Sequence, residues 1–189
     1  MRRLLGHPWL TLLMSVTAIA ASATAACGEV VVAVDPEFSS INPTGSTTVT
    51  VMYDASEATE GIRGYHFEVT FDEGLILIDD PSVDVREGDL LSGVGSTFFF
   101  VDQPDSHTVI IDCAILGSTA GASSSGDLCS ITFLGRETTP GVSPVHFLDS
   151  SLRDPGNGPI EHSTIDGEIT LTNSGVTEIE WSSVKALFR

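Results

Sequence analysis

The stretch GIRGYHFEVTFDEGLILIDD, residues 61–80, carries the reading of the fold. Tyr65, Phe67, Val69 and Phe71 fall on one parity, and His66, Glu68, Thr70 and Asp72 on the other. Successive side chains of a strand point to opposite faces, so a half-buried strand is expected here, apolar face inward and polar face outward. Aromatic and β-branched residues suit such a pleated surface. Asp72, Glu73 and Gly74 then supply a turn, since Asp bonds locally to the backbone and Gly frees it. The apolar run 75–78 opens a second buried strand. Apolar strand faces need another layer to cover them, which points to a β-sandwich with an aromatic-rich core.

The same pattern recurs outward from this stretch. Residues 30–34 form an apolar run, and residues 47–53 alternate, with Val49, Val51 and Tyr53 on one face. The segment 35–46 between them holds Pro36, Asn42, Pro43 and Gly45 and is expected as loop. A fourth strand, 75–85, is broken at Asp79-Asp80-Pro81, and 86–95 is rich in turn residues. Residues 97–101 hold three consecutive phenylalanines. Alternation puts Phe98 and Phe100 on one face and Phe99 on the other. Residues 108–116 and 127–134 are strong strands joined by a loop of small residues. Segments 145–148 and 165–172 complete nine strands, with no helix inside the domain. Short strands divided by turn signals are the pattern of an all-β sandwich or jelly roll.

The two ends read differently. Arg2 and Arg3 precede a mostly apolar segment, followed by small residues with Ala-x-Ala options such as Ala23-Thr24-Ala25. That is the layout of a secretory signal peptide over residues 1–26, leaving a domain at 27–173 and a tail at 174–189. Cys27 follows Ala25-Ala26 and precedes Gly28, which makes it a candidate for lipidation. Thr24 stands where a lipobox usually has an aliphatic residue, so ordinary cleavage nearby is the alternative. In the tail, Thr177 and Glu180 fit a capping box, and Trp181, Val184, Leu187 and Phe188 share one helical face. Such a helix either docks on its own domain or serves as a sorting or partner tag.

The chain carries 26 acidic against 8 basic residues, a formal charge of −18. That surface repels nucleic acid and anionic lipid, favours solubility, and suits a basic partner or cations. Membrane association is then expected only through a lipid anchor. Cys113 is in phase with Val109, Ile111 and Ile115, and Cys129 with Ile131 and Phe133, so both are expected to point inward from neighbouring strands. In an oxidising compartment a Cys113–Cys129 disulfide is expected, the alternative being two buried free thiols.

Catalytic signatures are absent. The sequence has no His-Glu-x-x-His, no Gly-x-Ser-x-Gly and no phosphate-cradling glycine loop. His66, His107, His146 and His162 show no ligand spacing. The acidic residues between Asp149 and Asp166 leave calcium open as a ligand but match no EF-hand loop. No cofactor and no enzymatic activity are expected.

Taken in order, an opening strand, GIRGYHFEVTFDEGLILID, VREGDLLSG, GDLCSITFLG and DPGNGPIEHSTIDGEITLT resemble the cohesin domain of cellulosome scaffoldins. The resemblance spans residues 29–172. It implies a nine-stranded jelly roll in two sheets, related to the cellulose-binding modules that share this sandwich. It also implies a protein partner of dockerin type, bound on the sheet of the third, fifth, sixth and eighth strands, in the setting of extracellular polysaccharide breakdown. Transferred to this chain, that face offers His66, Glu68, Thr70 and Asp72, then Phe99, then Ile110, Asp112 and Ala114. The alternatives are a carbohydrate-binding module and a structural cell-surface protein. Sugar platforms usually expose Trp or Tyr. Here Trp9 and Trp181 lie outside the domain, and Tyr53 and Tyr65 have inward parity.

Overall fold

The computed structural model describes residues 30–55, 61–117, 120–136 and 140–172. The expected signal peptide, Cys27 and the tail helix lie outside the described residues. In chain order the strands are β1 (Val30–Asp35), β2 (Phe38–Ile41), β3 (Ser46–Asp54), β4 (Gly64–Phe71), β5 (Ile76–Leu77), β6 (Val85–Glu87), β7 (Thr97–Asp105), β8 (Thr108–Ile115), β9 (Gly126–Gly135), β10 (Gly141–Arg153), β11 (Pro159–Ile160), β12 (His162–Ile165) and β13 (Gly167–Leu171). Two one-turn helices, α1 (Pro81–Asp84) and α2 (Asp89–Ser92), flank β6.

The strands form two facing sheets. The first runs β12-β1-β3-β9-β5, with β6 also on β9; the second runs β2-β13-β10-β4-β8-β7, with β11 on β10. Pairing is antiparallel except for β1 with β12 and β13 with β2. The all-β sandwich expected from the sequence is present, and β4 stands near the middle of the second sheet.

The inward parity of β4 is as expected: Tyr65, Phe67, Val69 and Phe71 are all buried. Tyr65 stacks on Phe67 at 4.8 Å, Phe67 meets the edge of Phe147, and Phe71 meets Phe133 of the opposite sheet at 5.1 Å. A buried phenol usually finds a partner for its hydroxyl; Tyr53 Oη has none among the described residues, whereas Tyr65 Oη donates across the sandwich to the Leu128 carbonyl at 2.7 Å. A bulge in β9 beside Val51 and Met52 leaves that carbonyl free of the regular ladder. It also accepts from Gly88 N at 2.8 Å. A Cβ on Gly88 would sit 2.3 Å from the Asp127 carbonyl. Only glycine lets the chain pass so close, and it delivers Leu90 and Leu91 of α2 into the core.

The structure adds elements that alternation does not reveal. The segment read as a broken fourth strand is β5, then α1, then β6. Asp80 caps α1 by accepting from Ser82 N at 3.0 Å, and Pro81 sits at its first turn, so the Asp79-Asp80 pair is helix-start chemistry. The loop read at 35–46 contains β2, held in parallel on β13. The short eighth strand is the long β10, which stays paired to β4 through the polar run Asp149–Arg153.

One correction concerns the thiols. Cys113 and Cys129 are both buried, as their parity required, but they are free cysteines and not a disulfide. Their strands belong to opposite sheets, whose faces pack about 10 Å apart. The Cys113 thiol instead points its hydrogen at Glu87 Oε1, 3.6 Å away.

Two neighbouring substitutions test the packing. Phe67→Ala, which empties a fully buried ring site, should cost about 3–5 kcal/mol in denaturant unfolding. Glu68→Ala, one residue along and on the outer face, should change stability by no more than about 0.5 kcal/mol. Similar losses for both would contradict the assigned faces.

Candidate functional site

The outer faces of the two sheets differ in chemistry. That of the first sheet carries Thr48, Thr50, Met52, Ser130 and Thr132, with Thr48 and Thr132 hydroxyls paired at 2.9 Å. That of the second carries aromatic rings, carboxylates and an arginine on four adjacent strands, β10, β4, β8 and β7. These are the four strands the resemblance groups into one sheet.

Cross-strand register arranges this face in rows. One row is Arg153, Gly64, Ala114 and Phe98; the next is Ser151, His66, Asp112 and Phe100; a third is Asp149, Glu68, Ile110 and Asp102. Beyond them His146, Thr70 and Thr108 make a fourth. His66, Glu68, Thr70, Ile110, Asp112 and Ala114 therefore share one surface, as their parity suggested. Asp72 does not join them. It follows β4 in the turn, where its Oδ1 accepts from Gly74 N at 2.8 Å.

Phe99 is a second correction. It pairs with Cys113 and packs on the core, while Phe98 and Phe100 are 54% and 46% exposed. The cause is a bulge. At the hairpin, Asp105 pairs with Thr108, and that register extended unbroken would set Phe99 opposite the outward Ala114. The register shifts by one between Asp102 and Asp105, around Gln103 and Pro104, so Phe98 takes that place. A one-residue shift in a period-two element turns every side chain over. Phe98 and Phe100 stack on each other at 6.3 Å with planes 5° apart. Pro104, which reads in sequence as a turn residue just past 97–101 but lies inside β7, was the available signal for the bulge. Arg153, Ser151 and Asp149 went unread because nothing in DSSLR alternates in hydrophobicity. A bulge at Leu148 sets their facing.

A groove of about 860 Å³ lies over the first two rows. Its floor is Gly64 and Ala114, its walls Phe98 and Phe100 on one side and Arg153 with Asn157 on the other. Arg63 also lines it, held by its Nη1 donating to the Pro155 carbonyl at 3.2 Å. At the far end His66 Nδ1 lies 2.8 Å from Asp112 Oδ1, and its Nε2 3.9 Å from Asp149 Oδ2.

The other histidines serve local structure. His146 Nδ1 approaches Asp166 Oδ2 at 2.6 Å, and Asp166 Oδ1 accepts from Phe147 N. His162 bonds through Nδ1 to the Ile160 carbonyl and through Nε2 to Ser150 Oγ, both at 2.9 Å. The carboxylates considered for calcium diverge: Asp149 faces outward, Asp154 holds Gly158 N, and Asp166 holds Phe147 N. Among the described residues no cluster of His, Cys, Asp and Glu could hold a metal ion. Ser125, in the serine run, accepts from Ala55 N and donates to Asp54 Oδ1.

Comparison with known proteins gives one family: the cohesin domain matches residues 36–171. Among curated proteins none matches the chain. Solved structures share the fold at low identity. The sixth cohesin of scaffoldin B from Acetivibrio cellulolyticus, solved with a Cel5 dockerin mutant, is 16% identical with a TM-score of 0.62, covering 77% of this chain and 100% of that one. The cohesin CaCohA2 of Clostridium acetobutylicum is 18% identical with a TM-score of 0.61, covering 76% and 91%. A non-cellulosomal cohesin from Archaeoglobus fulgidus is 16% identical with a TM-score of 0.57, covering 83% and 98%.

The buried thiols allow a chemical check of the interior. Burial, reinforced by the Glu87 carboxylate, pushes the Cys113 thiol up to about 12, and burial also raises that of Cys129. Neither should react with a thiol reagent at pH 8 in the native protein, and both should react once it is unfolded. In the unfolded chain a thiol loses its proton near about 8.5, whereas folded Cys113 keeps it to about 12. Stability should therefore fall as pH rises through that window. Rapid native labelling of either cysteine would contradict this packing.

Proposed function

Because the chain belongs to the cohesin family, whose modules are non-catalytic binding domains, we propose that the outer face of β10, β4, β8 and β7 binds a dockerin-type protein module. The observation that carries the reading is the exposed Phe98–Phe100 pair, set in a groove and bordered by Asp149, Glu68 and Asp102. Aromatic anchors inside a polar rim are the usual energetic centre of a protein interface. The carboxylate row adds attraction for basic residues of the partner. The cohesin of Acetivibrio cellulolyticus scaffoldin B was solved with a dockerin, and the present fold is the same.

The setting follows from the N-terminus. A signal peptide at 1–26 would deliver the module outside the cell or to its surface, with Cys27 as a lipid attachment point if the lipobox is used. There it would link a dockerin-bearing protein to extracellular polysaccharide breakdown. The tail at 174–189 would then act as a sorting or docking tag. Direct carbohydrate binding has less support. Among the described residues both tyrosines are buried, Tyr53 completely, so no Tyr platform faces a glycan.

Dockerin modules from the same organism, titrated calorimetrically, test the proposal. Phe98→Ala with Phe100→Ala should weaken binding by roughly 1–3 kcal/mol while leaving the fold intact. Phe99→Ala should instead lower stability by about 2–4 kcal/mol, since its ring packs on the core. Association should slow as salt rises, through screening of the carboxylate row. Unchanged affinity in the Phe98/Phe100 double variant would refute this face.

A further inference from the structure

The outer face of β10, β4, β8 and β7 changes sign along its strands. The row Asp149, Glu68, Ile110, Asp102 carries three carboxylates, while the row Arg153, Gly64, Ala114, Phe98 carries none and holds a cation. The two rows lie four residues apart on β4, about 13 Å at strand rise. In a chain of charge −18 this local reversal stands out. Among the described residues every ion pair is made by a histidine, so none of the four arginines there has a carboxylate partner. Two of those four, Arg63 and Arg153, line the groove together with Asp112 and Asp154, and those two carboxylates are engaged locally, Asp112 Oδ1 by His66 Nδ1 and Asp154 Oδ1 by Gly158 N.

The shape of the row matches its charge. Gly64 and Ala114 leave a low floor, between the Phe98 and Phe100 rings and the exposed Arg153 side chain. Arg153 and Phe98 stand three strand spacings apart, about 14 Å, enough for one extended segment or one helix. A purely apolar occupant would bury the guanidinium without a partner, which is costly. A carboxylate beside an apolar side chain satisfies both walls, because guanidinium and carboxylate form paired, charge-assisted hydrogen bonds.

We propose that the trough between Arg153 and the Phe98–Phe100 pair takes an acidic residue flanked by apolar ones on the protein partner. The partner then docks in a single polarity, its acidic end at Arg153 and its basic end over Asp149, Glu68 and Asp102. The proposal rests on the reading of this face as a protein-binding surface, and it adds the chemistry and direction of the bound segment.

The test is NMR titration of the isotope-labelled full secreted chain with acetyl-Leu-Glu-Leu-amide and with its Gln and Lys counterparts. The Glu peptide should shift the amides of Gly64, Ala114 and Arg153, and bind about threefold or more tighter than the Gln peptide. Arg153→Gln should abolish that preference and leave the melting temperature unchanged, since the Arg153 side chain makes no hydrogen bond among the described residues. Equal shifts from the Gln or Lys peptide, or a preference that survives in Arg153→Gln, would overturn the proposal. So would displacement of the Glu peptide by oligogalacturonate at equal or lower concentration, which would assign the trough to an acidic polysaccharide. With a dockerin-type partner, Arg153→Gln should weaken binding roughly tenfold. Loss of binding in Phe98→Ala/Phe100→Ala with Arg153→Gln unaffected would overturn the polarity and leave the binding face standing. Insensitivity to every substitution on the face would overturn the binding face itself.

Discussion

The hydrogen bond from Tyr65 Oη to the Leu128 carbonyl ties the middle of one sheet to the bulge of the other. Inside the core a hydroxyl left unpaired costs its desolvation, as that of Tyr53 does, so the bond favours the observed register of β4. With Tyr65 fixed inward, Phe67, Val69 and Phe71 follow, and their rings meet Phe147 and Phe133. The same constraint turns His66, Glu68 and Thr70 to the outside. A slip of one residue would bury two ionisable side chains and expose four large apolar ones. The proposed binding face is in this sense the reverse side of the core.

Bulges then decide what surrounds that strip. On β7 the bulge at Gln103 and Pro104 brings Phe98 and Phe100 outward and sends Phe99 to the core. On β10 the bulge at Leu148 sets Asp149, Ser151 and Arg153 beside β4. Each inserted residue costs some ladder hydrogen bonding and in return reorients a whole run of side chains. Two strands with no clear polar face in sequence thereby supply the aromatic, acidic and basic parts of the surface.

The arrangement suits a module that binds without catalysing. Among the described residues the histidines are paired with carboxylates, a backbone carbonyl or a serine hydroxyl. Cys113 and Cys129 are buried and held protonated. What remains exposed is a shaped, charge-graded face on a stiff sheet, and a stiff sheet presents side chains to a partner with little entropy lost on binding.

Much of this was legible in the sequence because period-two alternation is a local property. Tyr65 to Phe71, Val49 to Tyr53 and Val109 to Ile115 declared their inward faces without reference to any partner strand. The ordered motifs from GIRGYHFEVTFDEG to IDGEITL likewise carried the family. Tertiary structure alone decided the rest. Three consecutive phenylalanines are apolar on both parities, so only pairing with β8 separates the core ring from the exposed ones. DSSLR has no apolar period, so only β4 makes it a strand. Two inward cysteines have the same parity whether or not they are bonded, and only the tertiary structure shows them on opposite sheets as free thiols, with Glu87 beside one. Register between strands is a long-range quantity, and no single segment encodes it.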